Sequence, residues 1–224
     1  MITIEAVVFD IGETVLNDTR EAAAWANWLG VPAHTFSTVW GAGRARGLGE
    51  ADIFAYFRPG FDVDRERRLR EAAGAGERID ECDLYPDARL AMAELKGRGL
   101  RIVVAGNQSA VAADLLRQLN LPADAVATSA EWGVRKPGRG FFDRVVDLCG
   151  CDRAAVLHVG DRPDRDIWPA RDAGLRTAWL RRGVQGFLAA NDARVSAAAE
   201  CVITSLSELA DLIRPALVPT TAHT

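Results

Sequence analysis

The sequence predicts an α/β fold in which a doubly wound parallel sheet carries a helical unit inserted after its first strand. Short apolar runs with the composition of buried strands recur along the chain, and segments with helical spacing separate most of them. The six runs are residues 6–9, 101–105, 125–128, 156–159, 177–180 and 201–203. Because strand and helix alternate, we expect these strands to pair in parallel.

The helices between these strands are predicted from their apolar spacing. Residues 87–98, 111–119 and 141–149 each carry apolar positions on one face. A last helix is predicted by a capping box at Ser205 and Glu208 and by the leucines that follow, and Pro215 is expected to end it.

The interval after the first strand breaks this alternation. Residues 22–29, 36–45, 51–57 and 65–73 have helical composition and no convincing strand lies among them. We therefore predict a core domain of residues 1–14 and 85–214, a helical cap of residues 15–84 and a flexible tail of residues 215–224. The cap is rich in aromatic residues, for which core packing is favoured over lining a substrate pocket. They are Trp25, Trp28, Trp40, Phe54, Tyr56, Phe57 and Phe61.

Composition narrows the class of protein. The 224 residues are 49% hydrophobic, and 27 Lys and Arg against 31 Asp and Glu give a net charge of −4. That balance excludes nucleic acid as a main partner, since there is no basic excess to neutralise phosphates. With neither a leader-like segment nor an apolar run long enough to span a membrane, a cytoplasmic protein without a membrane partner is expected.

The four cysteines indicate a reduced environment. Cys82, Cys149, Cys151 and Cys201 show neither the density of a disulfide-stapled domain nor a CxxC spacing. Gly150 between two of them is typical of a helix end, so no structural zinc is expected.

Polar residues follow four of the predicted strands. Asp10 ends the first, and the sequence Gly106-Asn107-Gln108-Ser109 follows the second. Lys136 comes after the third, and Asp161 and Asp166 come after the fourth. Because ligands bind beyond the carboxyl ends of parallel strands, we expect these groups to converge on one edge.

This set suits phosphoryl transfer. A carboxylate can accept a phosphoryl group, but both are anions, so cations must neutralise their approach. Lys136 and a divalent metal would do so, and the oxygen ligands of Asp10 and Asp161 favour Mg²⁺. Asp166 would orient the metal shell or the lysine.

The order of these four motifs resembles the haloacid dehalogenase (HAD) superfamily, in particular its phosphatase-like members with a helical cap after the first strand of a Rossmann-like core. The resemblance spans about residues 6–180. It implies that Asp10 is the nucleophile and a metal ligand, with the carbonyl of Gly12 and Asp161 as further ligands and Asp166 in the same metal site. It also implies that Lys136 stabilises nucleophile and phosphate, and that residues 106 and 107 with neighbouring amides hold the phosphate.

Two positions depart from the family pattern. Gly12 stands where the family usually has a second Asp that protonates the leaving group and then activates water. General acid–base catalysis is worth ~10²- to 10⁴-fold, so slow turnover of poor leaving groups is expected. Gly106 stands where the family usually offers a hydroxyl, which removes one phosphate donor but lets backbone N–H groups approach closely.

Three functions remain open from the sequence. The leading one is a Mg²⁺-dependent phosphatase of a small phosphorylated metabolite. A protein that binds a phosphorylated ligand or a protein partner without turnover is the second. Carbon–halogen hydrolysis is the third, since halide release needs no protonation, although it gives the metal ligands no purpose. The oligomeric state is open, with a homodimer through the cap as one alternative.

Several polar residues are expected to have structural tasks. His158 lies within a buried-strand pattern and is expected to be a hydrogen-bonded core residue. The arginine-rich run at 65–70 predicts a solvated helix face, and a role for Arg181 and Arg182 in anion binding is a weaker alternative. Asp87 and Asp164 are expected to be helix caps or turn residues, and Glu13 is not expected to replace the missing Asp.

Overall fold

A computed structural model describes residues 3–213 of the chain. Six parallel strands form one sheet in the order β3-β2-β1-β4-β5-β6. The strands are β1 (Ala6–Phe9), β2 (Arg101–Gly106), β3 (Ala125–Thr128), β4 (Val156–Gly160), β5 (Arg176–Leu180) and β6 (Cys201–Ile203). The predicted doubly wound α/β fold is confirmed, and each strand lies within one residue of its predicted ends.

Helices cover both faces of the sheet and form the insert. Those of the insert are α1 (Thr19–Leu29), α2 (Ala33–Ala45), α3 (Glu50–Ala55) and α4 (Val63–Ala72). Those that follow are α5 (Ala88–Gly97), α6 (Ala110–Gln118), α7 (Ser129–Trp132), α8 (Arg139–Cys149), α9 (Trp168–Asp172), α10 (Gly183–Leu188), α11 (Ala193–Ala198) and α12 (Glu208–Leu212). None of the helices in the described part of the chain is long and apolar enough to cross a membrane.

Strand β1 lies between β2 and β4 and sets where the site forms. Phe9 pairs with Val104 on one side and with Val159 on the other. The residues that follow these three strands therefore emerge at the same edge. All four residues of β1 are fully buried, as expected of a central strand with helices on both faces.

The side chains of β1 alternate between two cores. Val7 and Phe9 belong to a cluster that includes Met92 and Leu95 of α5. Ala6 and Val8 belong to the cluster on the other face, built around Phe141 and Phe142 of α8. Burial of these apolar surfaces fixes the strand, and with it Asp10, against both helical layers.

The insert has an aromatic core of its own. The ring centroids of Trp25 and Phe54 are 4.7 Å apart, and those of Phe54 and Phe61 are 4.6 Å apart. Trp28, Trp40 and Phe57 pack partly buried against this cluster. Tyr56 is the exception, with 61% of its surface exposed.

Arg70 corrects the prediction of a solvated arginine face. Arg65, Arg67 and Arg68 are exposed, but only 2% of Arg70 is exposed. Its guanidinium donates to both carboxylate oxygens of Glu21, at 2.8 and 3.3 Å, and lies 4.1 Å from the centre of the Trp25 ring. It joins α4 to α1 through its charge and its flat face, because a guanidinium can stack on an indole and bind a carboxylate at once.

Some elements differ from the sequence prediction. The short helices α7, α9, α10 and α11, with a π-helical turn at Pro163–Ile167, were not predicted because they are too short to show periodicity. The last helix begins at Glu208, whose carboxylate accepts from Ser205 N at 2.9 Å as a capping box requires. The Ser205 hydroxyl instead donates to Asp87 at 2.7 Å. Pro215 and the predicted tail lie outside the described residues.

Gly150 behaves as predicted, whereas Asp87 does not. Gly150 ends α8 in the left-handed conformation, with a φ of 68°. Asp87 makes no cap bond to α5 and instead accepts from Arg182 and from the backbone of Leu206, at 2.9 Å for the latter. The position therefore links α5 to the loops after β5 and β6.

Candidate active site

Asp10 stands at the carboxyl end of β1 and is held from below by the sheet. Its backbone N–H donates to Val159 O at 2.8 Å, and 7% of the residue is exposed. The chain then turns tightly, because the N–H groups of Val15 and Leu16 both donate to Ile11 O at 2.9 Å. This turn brings Gly12 and Glu13 to the rim of the site.

Lys136 joins two of the predicted carboxylates. Its ammonium Nζ lies 2.5 Å from Asp10 Oδ1 and 2.5 Å from Asp166 Oδ1, with 3% of the residue exposed. Asp166 is fully buried and also accepts from His158 Nε2 at 3.1 Å and from the backbone N–H of Arg162 at 3.0 Å. The loop after β4 therefore orients Asp166, and Asp166 orients the lysine.

His158 has the structural task expected of it. The residue is fully buried, and its ring meets that of Phe142 edge-on at 5.5 Å. Its Nε2 atom bonds to Asp166 Oδ1, the same oxygen that accepts from Lys136, and so helps to fix that carboxylate.

Charge and burial act in opposite directions on these groups. Burial raises the pKa of Asp166, but Lys136 and His158 outweigh it and hold that pKa below its ordinary value. Burial and the negative charge of Asp166 raise the pKa of Asp10 against the opposing effect of Lys136. Burial lowers the pKa of Lys136, but the charges of Asp10 and Asp166 outweigh it and raise that pKa, so the ammonium stays protonated.

Asp161 is a buried carboxylate that forms no salt bridge in the described part of the chain. Only 2% of it is exposed, and within residues 3–213 its Oδ1 atom has no hydrogen-bond partner. Burial and the charges of Asp166 and Asp10 raise its pKa well above the ordinary value. Ligand oxygens of Asp10, Asp161 and Asp166 lie within 4.8 Å of one another. Three carboxylates facing one ammonium, with one oxygen unsatisfied, fit a hard divalent cation.

Asn107 positions the lysine by pairing with its backbone. The side-chain Nδ2 donates to Lys136 O at 2.9 Å, and Lys136 N donates back to Asn107 Oδ1 at 2.9 Å. This reciprocal pair ties the end of β2 to the segment that carries the lysine. The second Nδ2 hydrogen and the backbone N–H of Asn107 take no part in these two hydrogen bonds.

Gly106 lets Asp10 sit where it does. A Cβ atom at residue 106 would lie 2.8 Å from Asp10 Oδ1 and 3.0 Å from Ile11 Cβ. These distances are shorter than side-chain carbons tolerate, so the absence of a hydroxyl residue here follows from close packing.

The sequence reasoning missed one group at the rim. The carboxylate of Asp18 lies over Gly12, and a Cβ atom on Gly12 would be 3.2 Å from Asp18 Oδ2. Asp18 directly precedes α1, but its side chain makes no cap bond to that helix. Arg182, considered for anion binding, instead donates to Thr14 O at 3.0 Å and to Asp87.

The chain matches the family model of haloacid dehalogenase-like hydrolases over residues 4–174. It is 32% identical over 135 residues to the phosphoserine phosphatase of Thermus thermophilus, covering 52% of this chain and 53% of that enzyme. It is 30% identical over 133 residues to the glyceraldehyde 3-phosphate phosphatase of Methanocaldococcus jannaschii, covering 58% and 56%. The chain thus matches little more than half the length of these two relatives.

Other likenesses cover more of the chain. A phosphatase of Mycobacterium tuberculosis is 29% identical over 197 residues, covering 82% of this chain and 90% of that protein. The crystal structure of the HAD-hydrolase YfnB from Bacillus subtilis, bound to magnesium, matches with a TM-score of 0.70 and 18% identity over 95% of this chain and 99% of that one. The family model, which covers more than half of the sequence, establishes that the chain belongs to the haloacid dehalogenase-like hydrolases.

Proposed function

We propose that this hydrolase is a Mg²⁺-dependent phosphatase that acts on a small phosphorylated metabolite through an aspartyl-phosphate intermediate. The observation that carries the proposal is the group formed by Asp10, Lys136 and Asp161, in which a carboxylate at a strand end meets one ammonium and one unsatisfied carboxylate oxygen. Such an arrangement offers a nucleophile together with the means to neutralise an incoming phosphate.

The residues fit a magnesium ion. Asp10 and Asp161 would supply carboxylate oxygens, and the carbonyl of Gly12 is the third ligand implied by the family pattern. Asp166 belongs to the same acidic cluster, but Lys136, His158 and the Arg162 N–H already occupy its oxygens, so we assign it mainly to orienting the lysine. When bound, the ion would neutralise phosphate charge and hold the phosphoryl group in line with the nucleophile.

Asp10, Lys136 and Asn107 have different roles in the proposed reaction. Lys136 is bonded to Asp10 Oδ1, so we assign the attack on phosphorus to the other carboxylate oxygen. The protonated lysine would keep Asp10 ionised and lie beside the phosphate oxygens as charge builds on them. Asn107 would fix the lysine through its backbone, and the amides that follow Gly106 would meet the remaining phosphate oxygens.

The relatives guide the choice of substrates. Phosphoserine and glyceraldehyde 3-phosphate, the substrates in the names of two of them, are small phosphate monoesters. We therefore infer a substrate of this size, enclosed between the sheet edge and the helical insert, where exclusion of water strengthens the electrostatics of the site.

The test is phosphate release from a panel of sugar phosphates, phosphoserine, nucleotides and an aryl phosphate, with Mg²⁺ and with EDTA. Wild type, Asp10→Asn and, as a matched control, Asp147→Asn on the exposed side of α8 would be compared. We expect Mg²⁺-dependent release that only Asp10→Asn abolishes, and a phosphoryl adduct at Asp10 detected by mass spectrometry after acid quenching.

Other results would select the other functions. Chelator-resistant halide release from 2-haloacids would favour carbon–halogen hydrolysis. Tight binding of phosphorylated ligands without release from any ester would indicate a binding protein. Release that persists in Asp10→Asn would contradict the proposed nucleophile.

A further inference from the structure

Hydrolysis of an alkyl phosphate needs a proton donor near the leaving oxygen, because an alkoxide is a poor leaving group at neutral pH. The buried carboxylates of the site are already committed. Asp166 is bonded to Lys136 and His158, Asp10 is the assigned nucleophile, and Asp161 is assigned to the metal ion. A donor must therefore come from the rim, where the substrate enters.

Asp18 lies at that rim on the open side of Gly12. A Cβ atom on residue 12 would lie 3.2 Å from Asp18 Oδ2 and 3.4 Å from Oδ1, with Gln108 Nε2 next at 3.5 Å. The Asp18 carboxylate thus borders the volume that a side chain at residue 12 would fill. Residue 12 is two positions from the nucleophile, so this volume adjoins the reacting centre.

The position of Asp18 is built into the fold. Its backbone N–H donates to Glu13 Oε1 at 3.1 Å, while Tyr85 donates its hydroxyl hydrogen to Glu13 Oε2 at 2.6 Å. Both oxygens of Glu13 are therefore occupied in holding the turn, and Glu13 itself adopts a left-handed backbone with a φ of 56°. Asp18 directly precedes α1 without using its carboxylate to cap that helix, which leaves the carboxylate available for other chemistry.

The Asp18 carboxyl stands among mostly acidic side chains. The carboxyl is crowded by protein on the Gly12 side, while the residue stays exposed to solvent on the other. The acidic side chains of Glu13, Asp10 and Glu21 are its charged neighbours, together with the cation Arg44.

We infer that Asp18, on the segment entering the inserted helices, is the general acid and base of this hydrolase and takes the task for which residue 12 has no side chain. The inference rests on the proposed phosphatase function. As a carboxylate oxygen of Asp10 bonds to phosphorus, the bond from phosphorus to the leaving oxygen breaks, and that oxygen takes both the electron pair and the Asp18 proton. The Asp18 carboxylate then accepts a proton from a water molecule as the water oxygen attacks the aspartyl phosphate. Inorganic phosphate leaves, the Asp10 carboxylate is restored, and Asp18 is again protonated.

The test compares leaving groups in wild type, Asp18→Asn and the control Asp147→Asn. An aryl phosphate with a nitrophenolate leaving group needs no proton donor, whereas an alkyl phosphate does. We expect Asp18→Asn to lower kcat/KM for the alkyl ester by ~10²- to 10⁴-fold and to change that for the aryl ester by less than about tenfold. Because the water-activating base is also lost, the aryl ester should give a burst of nitrophenolate followed by slow turnover.

A second variant tests position separately from folding. Gly12→Asp in the Asp18→Asn background puts a carboxylate next to the position that Asp18 no longer supplies. We expect the double variant to have a kcat/KM for the alkyl ester at least tenfold above that of Asp18→Asn. An equal loss on both esters, without a burst and without rescue, would mean that Asp18 is structural and would overturn the inference. Unchanged kinetics in Asp18→Asn would also overturn it while leaving the phosphatase proposal intact. Absence of release from either ester by wild type would overturn both.

Discussion

Replacement of Asp161 by asparagine should stabilise the metal-free protein and abolish its stabilisation by Mg²⁺. The buried Asp161 Oδ1 atom has no partner among the described residues, and two other carboxylates lie beside it. An unsatisfied buried polar group costs ~1–3 kcal/mol and a charged one costs more. Asparagine keeps a polar oxygen at this position without the charge, so stability should rise by about 1 kcal/mol or more. For a chain of this length, 1 kcal/mol corresponds to ~2–4 °C in Tm.

Asp166→Asn provides a control with the opposite sign. Asp166 is bonded to Lys136 and His158, and breaking a buried ion pair by removing one partner costs ~3–5 kcal/mol. Two identical substitutions within one acidic cluster should therefore move Tm in opposite directions. A purely local packing effect of asparagine would lower Tm in both.

The assay is thermal unfolding of EDTA-treated protein, followed by circular dichroism with and without Mg²⁺. Wild type should gain ~2.7 kcal/mol at a Mg²⁺ concentration one hundred times Kd, and Asp161→Asn should gain little. The pKa of Asp161 is raised, so the excess stability of Asp161→Asn should be greatest above that pKa and shrink as falling pH neutralises the wild-type carboxyl. A lower Tm for metal-free Asp161→Asn at pH 7.5, or Mg²⁺ stabilisation equal to that of wild type, would refute this reasoning.

Four further changes test other contacts. Gly106→Ser should lower kcat at least tenfold, because a Cβ atom 2.8 Å from Asp10 Oδ1 displaces the Asp10 carboxylate. The check is phosphate release by a variant whose circular dichroism spectrum matches that of wild type, and full activity would contradict the prediction. Asn107→Ala should lower kcat more than it raises KM by loosening Lys136, whereas a change in KM alone would assign Asn107 to substrate binding only. Arg70→Met should lower the free energy of unfolding in urea by ~2–4 kcal/mol, because it leaves Glu21 without its cation and removes the stacking on Trp25. The matched control at an exposed position, Arg68→Met, should stay within about 0.5 kcal/mol of wild type. Acidification should remove the contribution of Asp166 as pH falls below its unfolded pKa of ~3.9 and through its lower folded value, and Asp166→Asn should lack this loss in pH-dependent unfolding.

The sheet could be predicted closely because buried parallel strands have a direct sequence signal. Runs such as Ala6–Phe9 are continuously apolar, and polar residues such as Asp10 mark the points where they end. Asp10, Lys136, Asp161 and Asp166 could be placed together for the same reason, since the topology brings the strand ends to one edge. Short helices such as α7 could not be predicted, because four residues are too few to show helical periodicity.

Side-chain choices within the site could not be read from the sequence. Asn107 fits a phosphate-binding position by its place after β2, yet its side chain pairs with the Lys136 backbone. Arg70 belongs to a charged run, and only the crossing of α1 and α4 shows that it is buried. Asp18 has the position of a helix cap, so its orientation toward Gly12 became visible only in three dimensions.

The central place of β1 in the sheet has a consequence for how the chain folds as it is synthesised. Ala6 pairs with Arg101 on one side and with Val156 on the other, so β1 cannot be flanked on both sides until β4 has been synthesised. The aromatic cluster of the insert, from Trp25 to Phe61, is contained within a short stretch of sequence. Contacts of short sequence separation form faster than long-range strand pairing. We therefore expect the insert to fold first, while the apolar strand β1 remains unpaired. Asp10 would thus be made well before the strands that fix its position in the sheet.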